Sequence, residues 1–246
     1  MRSYSQLIQR LDALPSVDLH VIGAVGEYPI HRISLPNASE KSHTILLTAG
    51  VHGDEPAGIE TVLHLLESEE CEILAPFSFT IVPCINPSGY VDNTRENRQG
   101  ADINRSFEED SVAEVRLIKD LLQGQQIDCF IDLHEDWEAK GFYLYEGRRN
   151  KNGIGADIIS AVEEIGPIDS DGDIGGEDGN DNDSNESISR GVFAVAAAWG
   201  TVGLAPYVLE YYAPPVLIFE TPTSWEIDRR VAAHLAALKS ALAHYS

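Results

Sequence analysis

The stretch ILLTAGVHGDEPAGI, residues 45–59, decides how the rest of the chain is read. Ile45 to Val51 form an apolar run of β type that ends at His52-Gly53-Asp54-Glu55. A helical spacing starts at once, with Ile59, Val62, Leu63 and Leu66 on one face. A histidine and a carboxylate three positions apart, on a glycine-containing turn between strand and helix, fit half of a zinc site. The spacing alone says little: with 8 His and 40 acidic residues, chance supplies roughly one such pair. His64 and Glu67 make a second match, but inside the predicted helix, where they read as an ordinary i, i+3 surface pair. Context separates the two.

A chain of 246 residues fits one large α/β domain and can bury a core without disulfide staples. No apolar run is long enough to span a bilayer. The opening MRSYSQLIQRLDALPSV lacks the apolar centre and cleavage site of a secretory signal. Cys71, Cys84 and Cys129 are too few, and odd in number, for a disulfide framework, so a cytoplasmic location is expected. The formal charge of −23 argues against nucleic-acid and membrane-surface partners. Its simplest meaning is solubility, and its sharper one is a bias towards cationic substrates.

Working outward, residues 3–14 read as a short helix, and Val17 to Val25 with Tyr28 to Leu35 as a hairpin around Gly26-Glu27. His20 and His31 on these strands read as plain sheet positions. Phe77 to Ile85 is a strand, Asn86 to Phe107 a long loop of the kind that usually carries function, and Ser111 to Gln123 a helix. Ser111 and Glu114 have capping-box spacing there. Ile127 to Leu133 is a buried strand, Phe142 to Tyr145 a short one, and Ile154 to Ile165 a helix. The acidic run 169–187 reads as a flexible insertion. Its calcium-like opening at Asp169, Asp171 and Asp173 lacks the glycine and glutamate such a loop needs. Gly191 to Ala198 and Tyr207 to Leu209 are apolar without a clear period. Val216 to Phe219 is a strand ending at Glu220, and a helix follows from about Ser224 to Ala243.

Three apolar strands therefore stop on a residue that can bind or serve a metal: His52, His134 and Glu220. In open α/β sheets, function gathers beyond the carboxyl ends of the strands. Two histidines and one carboxylate, His52, Glu55 and His134, leave a fourth position for water, the arrangement of a catalytic zinc. Asp132, on the same side of its strand as His134, and Asp54, beside the turn, are candidate acceptors for an imidazole N–H.

On these residues the chain resembles the zinc carboxypeptidases of the carboxypeptidase A type. It carries, in family order, His52-Gly53-Asp54-Glu55, Asn86-Pro87-Ser88-Gly89, Arg95-Glu96-Asn97, Gly100-Ala101-Asp102-Ile103-Asn104-Arg105, Asp132-Leu133-His134 and Phe219-Glu220. The resemblance spans about residues 43–243. It implies a single α/β catalytic domain over residues 1–246, with a mixed, largely parallel central sheet flanked by helices. It also implies one zinc on His52, Glu55 and His134. Glu220 would take a proton from zinc-bound water and pass it to the leaving amine, Arg95 would steady the oxyanion, and Asn104 and Arg105 would hold the substrate's carboxylate. The family's mobile tyrosine has no clear match, and Tyr207, Tyr211 and Tyr212 all remain candidates.

The implied activity is that of a zinc-dependent metallopeptidase removing a C-terminal residue from a short peptide or peptide-like amide. One alternative is an amidohydrolase of the more distantly related aspartoacylase and succinylglutamate desuccinylase group, acting on an N-acyl amino acid. That group resembles this chain less over Asn86 to Arg105. Another is a non-catalytic metal-binding domain on the same fold, against which Arg95, Arg105 and Glu220 together argue. A serine hydrolase is disfavoured, because no G-x-S-x-G occurs.

Overall fold

A computed structural model describes residues 2–15, 17–37, 39, 42–148, 153–170, 186–195 and 201–245. Residues 171–185 of the acidic stretch lie outside these, and with them the expected flexibility of that insertion and most of its calcium-like run.

The chain opens with α1 (Tyr4–Asp12), capped by the Ser3 side chain, which accepts from the Gln6 N–H. β1 (Asp18–Val25) and β2 (Tyr28–Leu35) form the expected antiparallel hairpin, turning on Gly26 at φ 60°. Then follow β3 (Thr44–Ala49), α2 (Pro56–Glu67), β4 (Ser78–Val82), α3 (Pro87–Asp92), α4 (Ala113–Leu122) and β5 (Cys129–Asp136). The remainder is β6 (Tyr143–Gly147), α5 (Gly155–Val162), β7 (Ser187–Ser189), β8 (Val192–Ala194), α6 (Leu204–Tyr212), β9 (Val216–Pro222) and α7 (Ile227–Ala243).

The strands make one sheet in the order β1-β2-β4-β3-β5-β9-β6-β8-β7. Its centre, β4-β3-β5-β9, is parallel. The hairpin joins antiparallel on one side and β6 antiparallel on the other. This is the expected mixed α/β sheet. Strand residues alternate between two cores, as the two-residue period of a strand requires. Leu47, Ile131, Leu133, Leu217 and Phe219 pack on α1, α2, α5 and α7. Leu46, Phe130, Val216 and Ile218 pack on α4 and α6. Each such fully buried aliphatic or aromatic side chain stabilises the fold by about 1.5–3 kcal/mol.

Several expectations are corrected. The apolar runs stop at Leu133 and Phe219, but the strands do not: β5 continues through His134 to Asp136, and β9 through Glu220 to Pro222. Their ladder stays in register, with His134 opposite Glu220. Residues 86–107 are not one long loop. Asn86 caps α3, its Oδ1 accepting from Gly89 N–H at 2.8 Å, and Ile103–Arg105 form a 3-10 turn. Nor does Ser111 cap α4, which starts after Val112 with no side-chain cap. Glu114, the supposed capping-box partner, is buried and accepts from Asn97 Nδ2 at 3.2 Å. A tertiary partner outcompeted the local one.

Candidate metal centre

The parallel centre brings the ends of β3, β5 and β9 to one edge of the sheet. After β3 the chain passes Gly50 at φ 62° and enters the turn His52–Glu55, which Pro56 converts into α2. The turn rests on the start of α3: a Cβ added to Gly53 would lie 2.0 Å from the Gly89 carbonyl carbon. Gly53 N–H reaches Arg95 O at 3.4 Å, Asn86 Nδ2 donates to that same oxygen at 3.1 Å, and Arg2 donates to Gly53 O at 2.8 Å. The NPSG segment is thus the platform on which the histidine turn sits.

His52, Glu55 and His134 meet there, all buried, with their ligand-type atoms within 4.8 Å of one another. Glu55 lies between the rings: Oε1 is 2.5 Å from His52 Nδ1 and Oε2 is 3.0 Å from His134 Nδ1. The outer nitrogens turn to aspartates. His134 Nε2 is 3.0 Å from Asp132 Oδ2, and Asp132 Oδ1 accepts from Thr48 Oγ1 at 2.6 Å. His52 Nε2 lies 3.4 Å from Asp102 Oδ1, and neither of these buried atoms completes a hydrogen bond among the described residues. Asp132 was foreseen in this part. Asp102 was quoted in a motif but given no role, and Asp54 stays exposed.

Burial alone would strip both rings of their protons, but the carboxylates outweigh it. Beside Glu55 and Asp102, the His52 pKa ends raised; beside Asp132 and Glu55, that of His134 ends well above the ordinary imidazole value. Conversely, burial works to raise Glu55, yet the two imidazoles hold it well below the usual carboxylate range. A cation would replace those ring protons, so binding must compete with acid. Two imidazole nitrogens and a carboxylate, with aspartates on the outer nitrogens, suit a divalent ion that prefers nitrogen and oxygen ligands.

Glu220 stands beside His134 on one side and Tyr143 on the other, by strand register. Desolvation pushes its carboxyl well above the ordinary value, with Glu55 and Asp136 adding to the effect. Arg95 extends Nε to Asp102 Oδ2 at 2.9 Å and Nη1 to within 3.9 Å of Glu55 Oε1. Arg105, half exposed, has Nε 3.6 Å from Asp102 Oδ2. Asn104 spends its Oδ1 on Leu204 N–H at 3.0 Å, leaving its amide N–H₂ as the donor end. Of the expected site residues, His52, Glu55, His134, Glu220, Arg95 and Arg105 therefore lie at this edge, and Asn104 follows Asp102 and Ile103 against the start of α6. The three candidate tyrosines do not gather there: Tyr207 stacks on Phe107 and Tyr211, and Tyr211 and Tyr212 lie at the far end of α6.

The model of the succinylglutamate desuccinylase/aspartoacylase catalytic domain matches residues 41–164, half of the chain. The chain belongs to this family. The family is one of hydrolases, and the match takes in all three donors, Arg95, Asp102 and Arg105, but stops before Glu220. No curated protein sequence matches the chain. Among solved structures, this desuccinylase/aspartoacylase-type domain resembles a candidate metallopeptidase of Shewanella baltica OS155, with 24% identity and a TM-score of 0.82 over 99% of this chain and 91% of that one. It also resembles a metallo-carboxypeptidase of Burkholderia cenocepacia (18%, TM-score 0.73, 98% and 68%). With the carboxypeptidase A of Helicoverpa armigera the figures are 16%, 0.70, 98% and 72%. At such identities the likeness shows a shared fold. The carboxypeptidase resemblance thus holds for the fold, and the sequence match is to the related group. Among the described residues, no helix is long and apolar enough to cross a membrane.

Proposed function

We propose that the chain is a zinc-dependent metallopeptidase that removes a C-terminal residue from a short peptide or peptide-like amide. The observation that carries this reading is Glu220, set in register beside His134 at the rim of a buried His-Glu-His donor set. A zinc ion on His52, Glu55 and His134 would supply a Lewis acid with an open fourth position. Glu220 would accept the proton of the attacking water and return it to the leaving amine, a role suited to a carboxyl with a raised pKa. Arg95, whose Nη1 lies 3.9 Å from Glu55 Oε1, would donate to the oxygen of the attacked carbonyl. Arg105 and the amide of Asn104 would hold the substrate's free carboxylate, for which a guanidinium fork is the natural partner.

The family match favours a second reading on the same chemistry: cleavage of an N-acyl amino acid, the substrate type named by succinylglutamate desuccinylase and aspartoacylase. A panel of peptides varied at the C-terminus, run beside N-acyl amino acids, separates the two. Release of C-terminal residues supports the first, and release of acyl groups alone supports the second. The purified protein is expected to carry about one zinc per chain. Glu220→Gln is expected to keep the metal while turnover falls at least about 100-fold. Full activity in that variant would remove Glu220 from the mechanism.

A further inference from the structure

Directly behind the donor set, on the opposite face of the sheet, is a buried polar cluster with no part in the chemistry above. Glu135 follows His134, so its side chain points to the other side, into the layer of α2 and α7. That side chain is fully buried. Its Oε1 accepts from Ala57 N–H at 2.5 Å, and its Oε2 pairs with Arg230, from the first turn of α7. One turn further, His234, also fully buried, lies 3.3 Å from Thr221 Oγ1, and Thr221 is the register partner of Glu135. Finally, the Glu135 backbone N–H donates to Glu55 Oε2 at 3.1 Å.

Helix α2 explains the arrangement. Its first N–H groups need acceptors, and Glu55, at the N-cap position, makes no cap bond because both its oxygens face imidazoles. Glu135 takes over from the neighbouring strand, at a helix end whose dipole favours a carboxylate. A carboxylate buried this deep needs a counter-charge, which Arg230 provides. Apolar side chains such as Leu133, Leu217 and Phe219 fill most of this layer, and a buried ion pair seldom stabilises more than a well-packed apolar pair of the same volume, so its value lies in geometry.

We propose that Glu135 and Arg230 are positioning residues, which clamp the start of α2 and so fix the angle at which Glu55 enters the donor set. The idea rests on the metal reading above but acts on a backbone segment that can be followed without metal. Because a single substitution strands a buried charge, the main test replaces the pair, Glu135→Gln with Arg230→Met. In the metal-free protein, amide exchange across residues 52–58 is expected to quicken about tenfold while β4 and α5 keep wild-type rates, since opening here is local. The Kd for zinc, measured by chelator competition, is expected to rise about 10- to 100-fold, with kcat falling more than KM rises. Arg230→Lys, which keeps the charge, should recover most of the affinity. A folded double variant with wild-type zinc Kd overturns the proposal, whatever its exchange rates, and so does a loss of protection spread evenly over the sheet. Should the double variant not fold, Glu135→Gln alone decides: a rise in Kd of about tenfold is expected, and a wild-type value overturns the proposal. If the wild type takes up no zinc, it is the metal reading that fails, and exchange over 52–58 then decides this one.

Discussion

The two halves of the donor set are built in different ways. His134 sits within β5, between β3 and β9, and its orienting partner Asp132 is two residues away on the same strand face, at 3.0 Å. His52 sits on a turn, and apart from Glu55 on the same turn its surroundings come from elsewhere: the start of α3, the Arg95 carbonyl, and Asp102 at 3.4 Å. One imidazole is set by the sheet and its own neighbour, the other by three converging segments. The strand half thus shares its frame with the core of the sheet, and the turn half hangs on contacts made outside that core.

Breaking the turn half should have the largest effect. Gly53→Ala drives a Cβ into the Gly89–Tyr90 backbone, and backbone cannot swing aside as a side chain can. Zinc affinity is expected to fall at least about 100-fold, read by chelator competition, while far-UV circular dichroism stays close to wild type. Metal uptake at full strength would mean that the turn tolerates displacement and that the contrast is overstated.

A smaller and sharper comparison sets Asp132→Ala against Asp102→Ala. Both should weaken zinc about 10- to 100-fold. Only the first should strongly destabilise the fold, by about 3 kcal/mol, because it leaves Thr48 Oγ1 and His134 Nε2 without their buried acceptor. Asp102→Ala should cost under about 1 kcal/mol, as its aspartate is partly solvated and shared with two arginines. Equal shifts of the urea midpoint in the two variants would erase the distinction.

Acid probes the strand half through His234. Burial holds that imidazole neutral, its pKa pushed down to about 3, with His134 and Arg230 acting the same way. The unfolded chain takes up its proton at about pH 6.5. Between those values the unfolded state binds more protons, so stability is whole above pH 6.5 and falls as acid is added, by about 2 kcal/mol at pH 5. His31, lowered by burial, changes stability in the same direction. In His234→Gln the plot of urea midpoint against pH should flatten over that window. An unchanged slope would show that other groups govern the acid response.

The same contrast explains what could be read in advance. The strand half was legible: a buried apolar run up to Leu133, with Asp132 and His134 two residues apart on one face, needs only a two-residue period. Polarity at His134 and Glu220 looked like the end of a strand, because an apolar pattern cannot tell solvent from a polar site at a sheet edge. Asp102 was hidden for a different reason: its target, His52, lies far back in the sequence, and no local rule links them. The NPSG segment was read as loop because the six residues of α3 are too few to show a helical period. Glu135 and Arg230 were invisible, since a charged residue in the first turn of an amphipathic helix ordinarily marks its solvated face.

The back-face pairing of Glu135 with Arg230 has a consequence for how the molecule is made. As the polypeptide leaves the ribosome, both histidines emerge long before Arg230 can balance Glu135. Until α7 docks, the nascent domain would hold its donors without the proposed clamp, so the full grip on a cation would arrive only with the closing step of assembly.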